Sequence, residues 1–381
     1  MVAGLPGKRW RMRSAPVVAI RVDASLVMGT GHVMRCLTLA RALQNRGAQC
    51  HFICREHPGN MIASVRQQDF EVTVLPAEPA RMRPAGDVVA SPLAHADWLG
   101  CDWAQDAEQT LAILRDIKSD ILVVDHYAID ARWERRLRPV SKKLMVIDDL
   151  ADRSHECDLL LDQNWFGEQT PGRYRSLVPA SCRCMLGPSH ALLRPEYAEL
   201  RALMPPRDGM VRRVLVFMGG SDPLDQTGDV LDALMRPGLN QLVVDVVMGV
   251  NHPDPQGIAR KVAARPASNL FSGLPSLAGL MARADLMIGG GGSTTWERMC
   301  LGLPAVVISI ADNQTPTNLA MMKAGYIDFL GQGDKVSVDM IAAAVRAKLA
   351  DAGGMQLMSR LSQELVQGAG VSMLTEYLLG K

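Results

Sequence analysis

Two doubly wound α/β domains are what this 381-residue chain predicts, and three observations lead there. Short runs rich in Val, Ile and Leu alternate with helix-compatible stretches, the pattern of a parallel sheet covered on both faces. A segment marked by Met204-Pro205-Pro206 and Asp208-Gly209 divides that alternation into two series, as a linker does. Glycine-rich and polar motifs stand at the ends of strand runs, which is where doubly wound sheets bind ligands.

The first series has strand-like runs at 17–22, 49–54, 71–75, 121–125, 144–148 and 159–162. Residues 34–46 read as an amphipathic helix with Cys36, Leu37, Leu39, Ala40 and Leu43 on its apolar side. Further helices are expected at 108–118 and 130–137, and the weakly patterned, Ala- and Pro-rich stretch 79–100 reads as an irregular insertion. In the second series the strand runs are 213–218, 242–248, 285–288 and 305–309, with helices at 277–283 and 338–349 and a closing helical stretch at 355–379. The expected organisation is an extension (1–14), a first domain (15–200), a linker (201–212), a second domain (213–354) and a helical C-terminal segment (355–381). Neither repeats nor low-complexity tracts are visible.

Composition excludes several functions. Forty-one Lys and Arg against 40 Asp and Glu leave a net charge of +1, with no basic stripe to meet a nucleic-acid backbone. Apolar residues make up 48%, enough for real cores, yet no run approaches the roughly 18 residues a membrane span needs. The basic start (Lys8, Arg9, Arg11, Arg13) is not followed by a signal-like apolar stretch, so a cytoplasmic protein is expected, with Met12 or a neighbour as a possible functional start. Eight cysteines form no Cys-x-x-Cys pair and read as small core residues of a reducing compartment, against a zinc site.

The densest motif is Gly290-Gly291-Gly292-Ser293-Thr294-Thr295-Trp296-Glu297, followed by Gly302-Leu303-Pro304 and Asn313-Gln314. A strand, a glycine loop and a helix start bring bare backbone N–H groups together and make an anion site. Glu297 suits the helix dipole and can accept hydrogen bonds from a diol such as ribose; the plainer alternative is a tight turn with a capping carboxylate. Near the other end, Gly29-Thr30-Gly31-His32 follows the first strand and Arg35 stands one turn in. Loop amides at Gly29 and Gly31 with Arg35 would suit a diphosphate, placing His32 within reach of what it carries. The alternative is a surface histidine at a helix start.

Arg21-x-Asp23-x-Ser25, Gly29-Thr30-Gly31-His32-x-x-Arg35-Cys36-Leu37, Asp125-His126-Tyr127, Ile147-Asp148-Asp149, Leu192-Leu193-Arg194-Pro195-Glu196-Tyr197 and Met218-Gly219-Gly220-Ser221-Asp222-Pro223 occur in that order before the glycine-rich block. Together they resemble the UDP-2,4-diacetamido-2,4,6-trideoxy-β-L-altropyranose hydrolases of the pseudaminic-acid pathway, over about residues 20–329. The resemblance implies a GT-B fold whose last helix returns to the first domain, and hydrolysis of a UDP-sugar at its anomeric carbon. It implies His32 as the base, with imidazole chemistry suited to neutral pH, and Tyr127 and Asn313 beside the sugar. Gly219, Gly220, Ser221, Gly292, Ser293, Thr294 and Gln314 fall to substrate binding, Glu297 to the ribose, and Leu274 to the uracil edge. His126 is the rival base. Asp148-Asp149 reads as a strand-end pair accepting backbone donors, so neither metal nor cofactor is expected. A glycosyltransferase and a non-catalytic nucleotide-sugar binder are the competing readings.

Overall fold

The computed structural model describes residues 15–77, 93–220 and 222–380. The expected extension at 1–14, most of the insertion at 79–100, and Ser221 lie outside the described residues. The first sheet comprises β1 (Val17–Val22), β2 (Gln49–Arg55), β3 (Glu71–Leu75), β4 (Ile121–Asp125), β5 (Lys143–Ile147), β6 (Leu159–Asp162) and β7 (Arg183–Leu186). The second comprises β8 (Arg213–Phe217), β9 (Val243–Met248), β10 (Ser268–Ser272), β11 (Leu286–Gly290), β12 (Ala305–Ser309) and β13 (Asp328–Gln332). Their orders are β3-β2-β1-β4-β5-β6-β7 and β10-β9-β8-β11-β12-β13, parallel throughout. Each order reverses beside its first strand, between β1 and β4 and between β8 and β11. Such switch points open a crevice at the carboxyl ends of the strands.

The helices between them are α1 (Gly31–Asn45), α2 (Ile62–Gln67), α3 (Trp103–Ile117), α4 (Ala131–Leu137), α5 (Pro195–Leu203), α6 (Gln226–Leu234) and α7 (Pro255–Ala264), then α8 (Ala278–Arg283), α9 (Thr294–Cys300), α10 (Thr315–Lys323), α11 (Val338–Ala350), α12 (Ala352–Leu365) and α13 (Gly370–Leu379). Strand residues alternate between two cores, as a sheet buried on both faces requires. On β1 and β4, Val18, Ile20, Ile121 and Val123 enter one core, while Ala19, Leu122 and Val124 enter the opposite one. On β8, Val214 and Val216 face one layer and Leu215 the other. None of the described helices is long and apolar enough to cross a membrane.

Three strands escaped the sequence reading: β7, β10 and β13. All are sheet edges, largely half-buried or exposed, so their polar residues (Arg183, Asn269, Gln332) never had to form an apolar run. Helix α1 begins at Gly31 rather than at residue 34, which puts His32 in its first turn. Helix α3 begins at Trp103 rather than at 108, because Asp102 caps it by accepting from the Ala104 N–H at 2.8 Å. The expected boundary at residue 200 falls inside α5, whose Tyr197 joins Leu215 and Trp296 in the second domain's core.

The single closing helix expected at 355–379 is two helices, broken around Gly368 at φ +82°. A Cβ at Gly370 would stand 2.4 Å from the Ala191 carbonyl oxygen, so the backbones meet there only because that residue is glycine. Beyond it α13 returns to the first domain. Leu374 and Leu378 enter its core, and the Lys143 ammonium donates to the Tyr377 and Leu378 carbonyls at 2.8 and 3.1 Å, satisfying the helix's C-terminal acceptors.

Candidate active site

The carboxyl end of β4 holds Asp125, and α1 starts opposite it. His32 Nδ1 lies 2.6 Å from Asp125 Oδ1, while Arg35 Nε and Nη2 donate to the two carboxylate oxygens at 2.6 Å each. Burial alone would raise the Asp125 carboxyl, but Arg35 and then His32 outweigh it and hold it well below the usual carboxylate range. An ionised carboxylate only accepts, so His32 Nδ1 carries the proton and donates it. In the neutral ring this leaves Nε2 as the acceptor nitrogen, unengaged by any described residue, on a side chain that lines a cavity of about 160 Å³.

Asp149, after β5, organises the same wall. Its Oδ2 accepts from Arg35 Nη1 and from the Tyr127 hydroxyl, both at 2.6 Å, and its Oδ1 accepts from Asn164 Nδ2 at 3.1 Å. Tyr127 meets the His32 ring edge-on at 4.6 Å between centroids. Burial pushes the Tyr127 hydroxyl well up, and Asp149 adds to it, so it stays a donor. The expected role of Arg35 changes accordingly. Its guanidinium borders the cavity, but its Nε, Nη1 and Nη2 atoms all bond carboxylates, so it holds the wall together instead of offering a free phosphate clamp.

The first motif also has work beneath the cavity. Arg21 bridges Asp23 and Asp106, each at 2.7 Å, Asp23 accepts from the Arg55 N–H at 2.6 Å, and Ser25 Oγ accepts from the Val27 and Met28 amides. These bonds shape the β1–α1 loop. His126 Nδ1 accepts from the Ala128 N–H at 3.1 Å, which leaves the proton on Nε2, 3.3 Å from Asp23. It has no lone pair for a water, and burial lowers its pKa. The rival base has its acceptor nitrogen bonded to the backbone and stands outside the cavity lining.

From the second domain, Gly291, Gly292 and Ser293 reach the cavity with Trp296, Asn313 and Gln314. A Cβ at Gly291 would lie 2.1 Å from Asn318 Nδ2, so only glycine lets the loop pass there. Asn318 in turn donates to Ser309 Oγ at 2.9 Å. Helix α9 has seven residues, so its dipole is slight, and an anion at this loop would meet chiefly the loop amides. Across the cleft, a Cβ at Gly220 would be 3.9 Å from Thr30 Oγ1, bringing the two expected loops face to face. Gly219 has φ +113°, and Gly249 packs against it and Gly220: a Cβ at Gly249 would meet the Gly219 and Gly220 carbonyls at 2.4 Å.

Not every expected residue borders the cavity. Gly29, Gly219, Gly220, Thr294, Leu274 and Glu297 stand outside its lining. Glu297 Oε1 sits 4.0 Å from Arg194 Nη2, and burial pushes its carboxyl up to about 7 despite that cation. Asp149, Gln163, Asn164 and Asp125 were not expected at the site. Asp125 and Asp149 each had a signal, a carboxylate at the end of an apolar strand; Gln163-Asn164 had none.

Among the described residues, Asp222, Asp225 and His252 come close enough to hold a metal ion. Their chemistry does not fit one. His252 Nδ1 accepts from the Asp254 N–H at 3.1 Å, so in the neutral ring the proton sits on Nε2, 3.5 and 3.4 Å from the Asp222 and Asp225 carboxylates. Asp222 already accepts from the Gln226 and Thr227 amides. A larger cavity of about 280 Å³ lies at the linker. Its Arg207 donates to the Met281, Ala284 and Leu301 carbonyls and caps two helix ends.

No protein-family model matches this chain. It is 24% identical over 366 residues to the spore coat polysaccharide biosynthesis protein SpsG of Bacillus subtilis (strain 168), covering 95% of this chain and 97% of that protein. It is 21% identical over 312 residues to the UDP-2,4-diacetamido-2,4,6-trideoxy-β-L-altropyranose hydrolase of Campylobacter jejuni, covering 81% and 97%. The resemblance holds. Among solved structures, the calicheamicin glycosyltransferase CalG4 superposes with a TM-score of 0.63 at 15% identity, covering 97% of this chain and 98% of that one. That likeness concerns the fold alone, and the fold is GT-B-like.

Proposed function

We propose that this chain is a cytoplasmic hydrolase of a UDP-linked diacetamido-trideoxy hexose, releasing UDP and the free sugar for pseudaminic acid synthesis without a metal or cofactor. The observation that carries the reading is the His32–Asp125 pair at 2.6 Å, on a cavity whose opposite wall is the Gly291–Gly292–Ser293 loop. The relative from Campylobacter jejuni, named for this reaction, supports it.

Water held by His32 Nε2 loses a proton to that nitrogen as its oxygen attacks the anomeric carbon. The bond from that carbon to the phosphate oxygen breaks, and its electron pair leaves with UDP. Loop amides at Gly291–Ser293 meet the charge of the departing diphosphate. So does the first turn of α1, a fifteen-residue helix with no acidic residue in that turn and no side-chain cap. Attack opposite the leaving group inverts the anomeric centre. Tyr127 and Asn313 position sugar or water, and Gly219, Gly220 and Gln314 complete the binding surface.

Hydrolysis in ¹⁸O-water tests the site of attack. The label appears in the C1 hydroxyl of the sugar and UDP stays unlabelled; label in UDP would mean attack at phosphorus and end this mechanism. A transferase is the second reading, favoured by Leu26 and Val27, 69% and 75% exposed on the loop whose Met28 lines the cavity, an apolar lip that could receive an acceptor. Sustained UDP release without any acceptor decides for hydrolysis.

Glu297 would bind the ribose hydroxyls once the nucleotide displaces its distant contact with Arg194. Glu297→Ala weakens UDP binding by about 1.5–3 kcal/mol in calorimetry at pH 8. Because burial raises this carboxyl to about 7 and the hydroxyls favour its ionised form, the difference between the proteins grows from pH 6 to pH 8. Any slope common to both belongs to the ligand. Equal affinities at pH 8 would leave Glu297 a capping residue.

A further inference from the structure

We propose that Gln163 and Asn164 select the sugar by reading a secondary amide on it. The inference rests on the reading of this chain as a UDP-sugar hydrolase and assigns the residues that choose among such sugars. Both residues follow β6 and line the cavity beside His32 and Tyr127.

The orientation of each carboxamide is fixed by its partner. The Leu192 N–H donates to Gln163 Oε1 at 3.2 Å. A backbone N–H can only donate, so the oxygen must face Leu192 and Nε2 is the free end. Asn164 is held the opposite way round, with Nδ2 donating to Asp149 Oδ1 at 3.1 Å. That partner is a carboxylate, so the amide nitrogen must face it and Oδ1 is the free end. Two successive residues thus offer one donor and one acceptor that no described residue engages. Gln163 is only 4% exposed, so a ligand that leaves Nε2 unpaired there incurs the cost of a buried donor.

The surrounding charges narrow the class of ligand. Among the described residues lining the cavity Arg35 is the cation, and its bonds go to Asp125 and Asp149, so it is not free to pair with a sugar carboxylate, which Asp149 would repel. A neutral group with both an acceptor and a donor fits. In a secondary amide the carbonyl accepts from Gln163 Nε2 and the N–H donates to Asn164 Oδ1. A hydroxyl must serve both from a single oxygen. Across the cavity Gln314 is fixed like Gln163, its Oε1 accepting from the Ile310 N–H at 3.1 Å, and presents a second neutral donor to the same space.

The test compares kcat/KM for a UDP-2,4-diacetamido-2,4,6-trideoxyhexose with that of its two analogues carrying a hydroxyl in place of one acetamido group. Wild type disfavours at least one analogue by roughly tenfold or more. Gln163→Glu keeps an oxygen for the Leu192 N–H and turns the free donor into an acceptor. It lowers kcat/KM for the diacetamido sugar and collapses the preference, while UDP affinity stays within about twofold. Asn164→Ala, at a half-buried position, moves the preference the same way and serves if the first variant fails to fold. An unchanged preference in a folded variant overturns the amide assignment and leaves the hydrolase reading standing. Absence of UDP release by wild type from all three sugars overturns both.

Discussion

Replacing His32 with alanine lowers turnover by roughly 10²–10⁴-fold and leaves UDP affinity nearly unchanged. The two effects separate because His32 belongs to the first domain, whereas the glycine loop proposed to hold the diphosphate comes from the second. The fold survives the change, since Asp125 keeps both of its bonds from Arg35 at 2.6 Å and no buried charge is stranded. Single-turnover UDP release and calorimetry measure the two quantities independently. A near-wild-type rate would remove the base from this mechanism. His126 could not take its place, because its acceptor nitrogen is occupied by the Ala128 N–H.

The parts of this molecule legible in the sequence were those under a periodic constraint. Strands β1, β4, β6 and β12 match their apolar runs residue for residue, because a central parallel strand is buried on both faces and must be apolar throughout. Edge strands β7, β10 and β13 carry no such requirement and gave no signal. At the site, glycines were visible because backbone approach demands them; Gly291 is an example, with Asn318 where its Cβ would be. What could not be read was the division of labour among charged residues. Arg35 looked like a phosphate ligand, and only the arrival of Asp125 from β4 and Asp149 from β5, 90 and 114 residues away, makes it a structural cation. The same holds for Gln163, whose free end is defined by a backbone amide 29 residues further on. Such assignments depend on tertiary partners, and local sequence does not carry them.

Asp125→Ala is expected to damage both stability and rate. The carboxylate accepts from Arg35 twice and from His32, all at 2.6 Å, and from Cys36 Sγ at 3.5 Å. Its removal leaves the Arg35 guanidinium buried with Asp149 alone, and losing one partner of a buried ion pair costs about 3–5 kcal/mol. Turnover falls as well, because nothing then fixes the proton on His32 Nδ1 and the acceptor lone pair on Nε2. The pH dependence follows from the sign of the shift. Arg35 and His32 depress the Asp125 carboxyl in the folded protein, so its contribution is fully present above the ordinary carboxylate pKa of roughly 4 and is lost as pH falls toward the depressed value. Urea unfolding should therefore show the full gap between wild type and variant at pH 7 and a smaller gap at pH 3. Asp125→Asn retains an acceptor for His32 but not the charge that balances Arg35, so it should recover more of the rate than of the stability. A gap under about 1 kcal/mol at pH 7 would fall short of a buried ion pair and would mean that Asp149 alone suffices to hold Arg35. The site would then owe its order to β5 and not to β4.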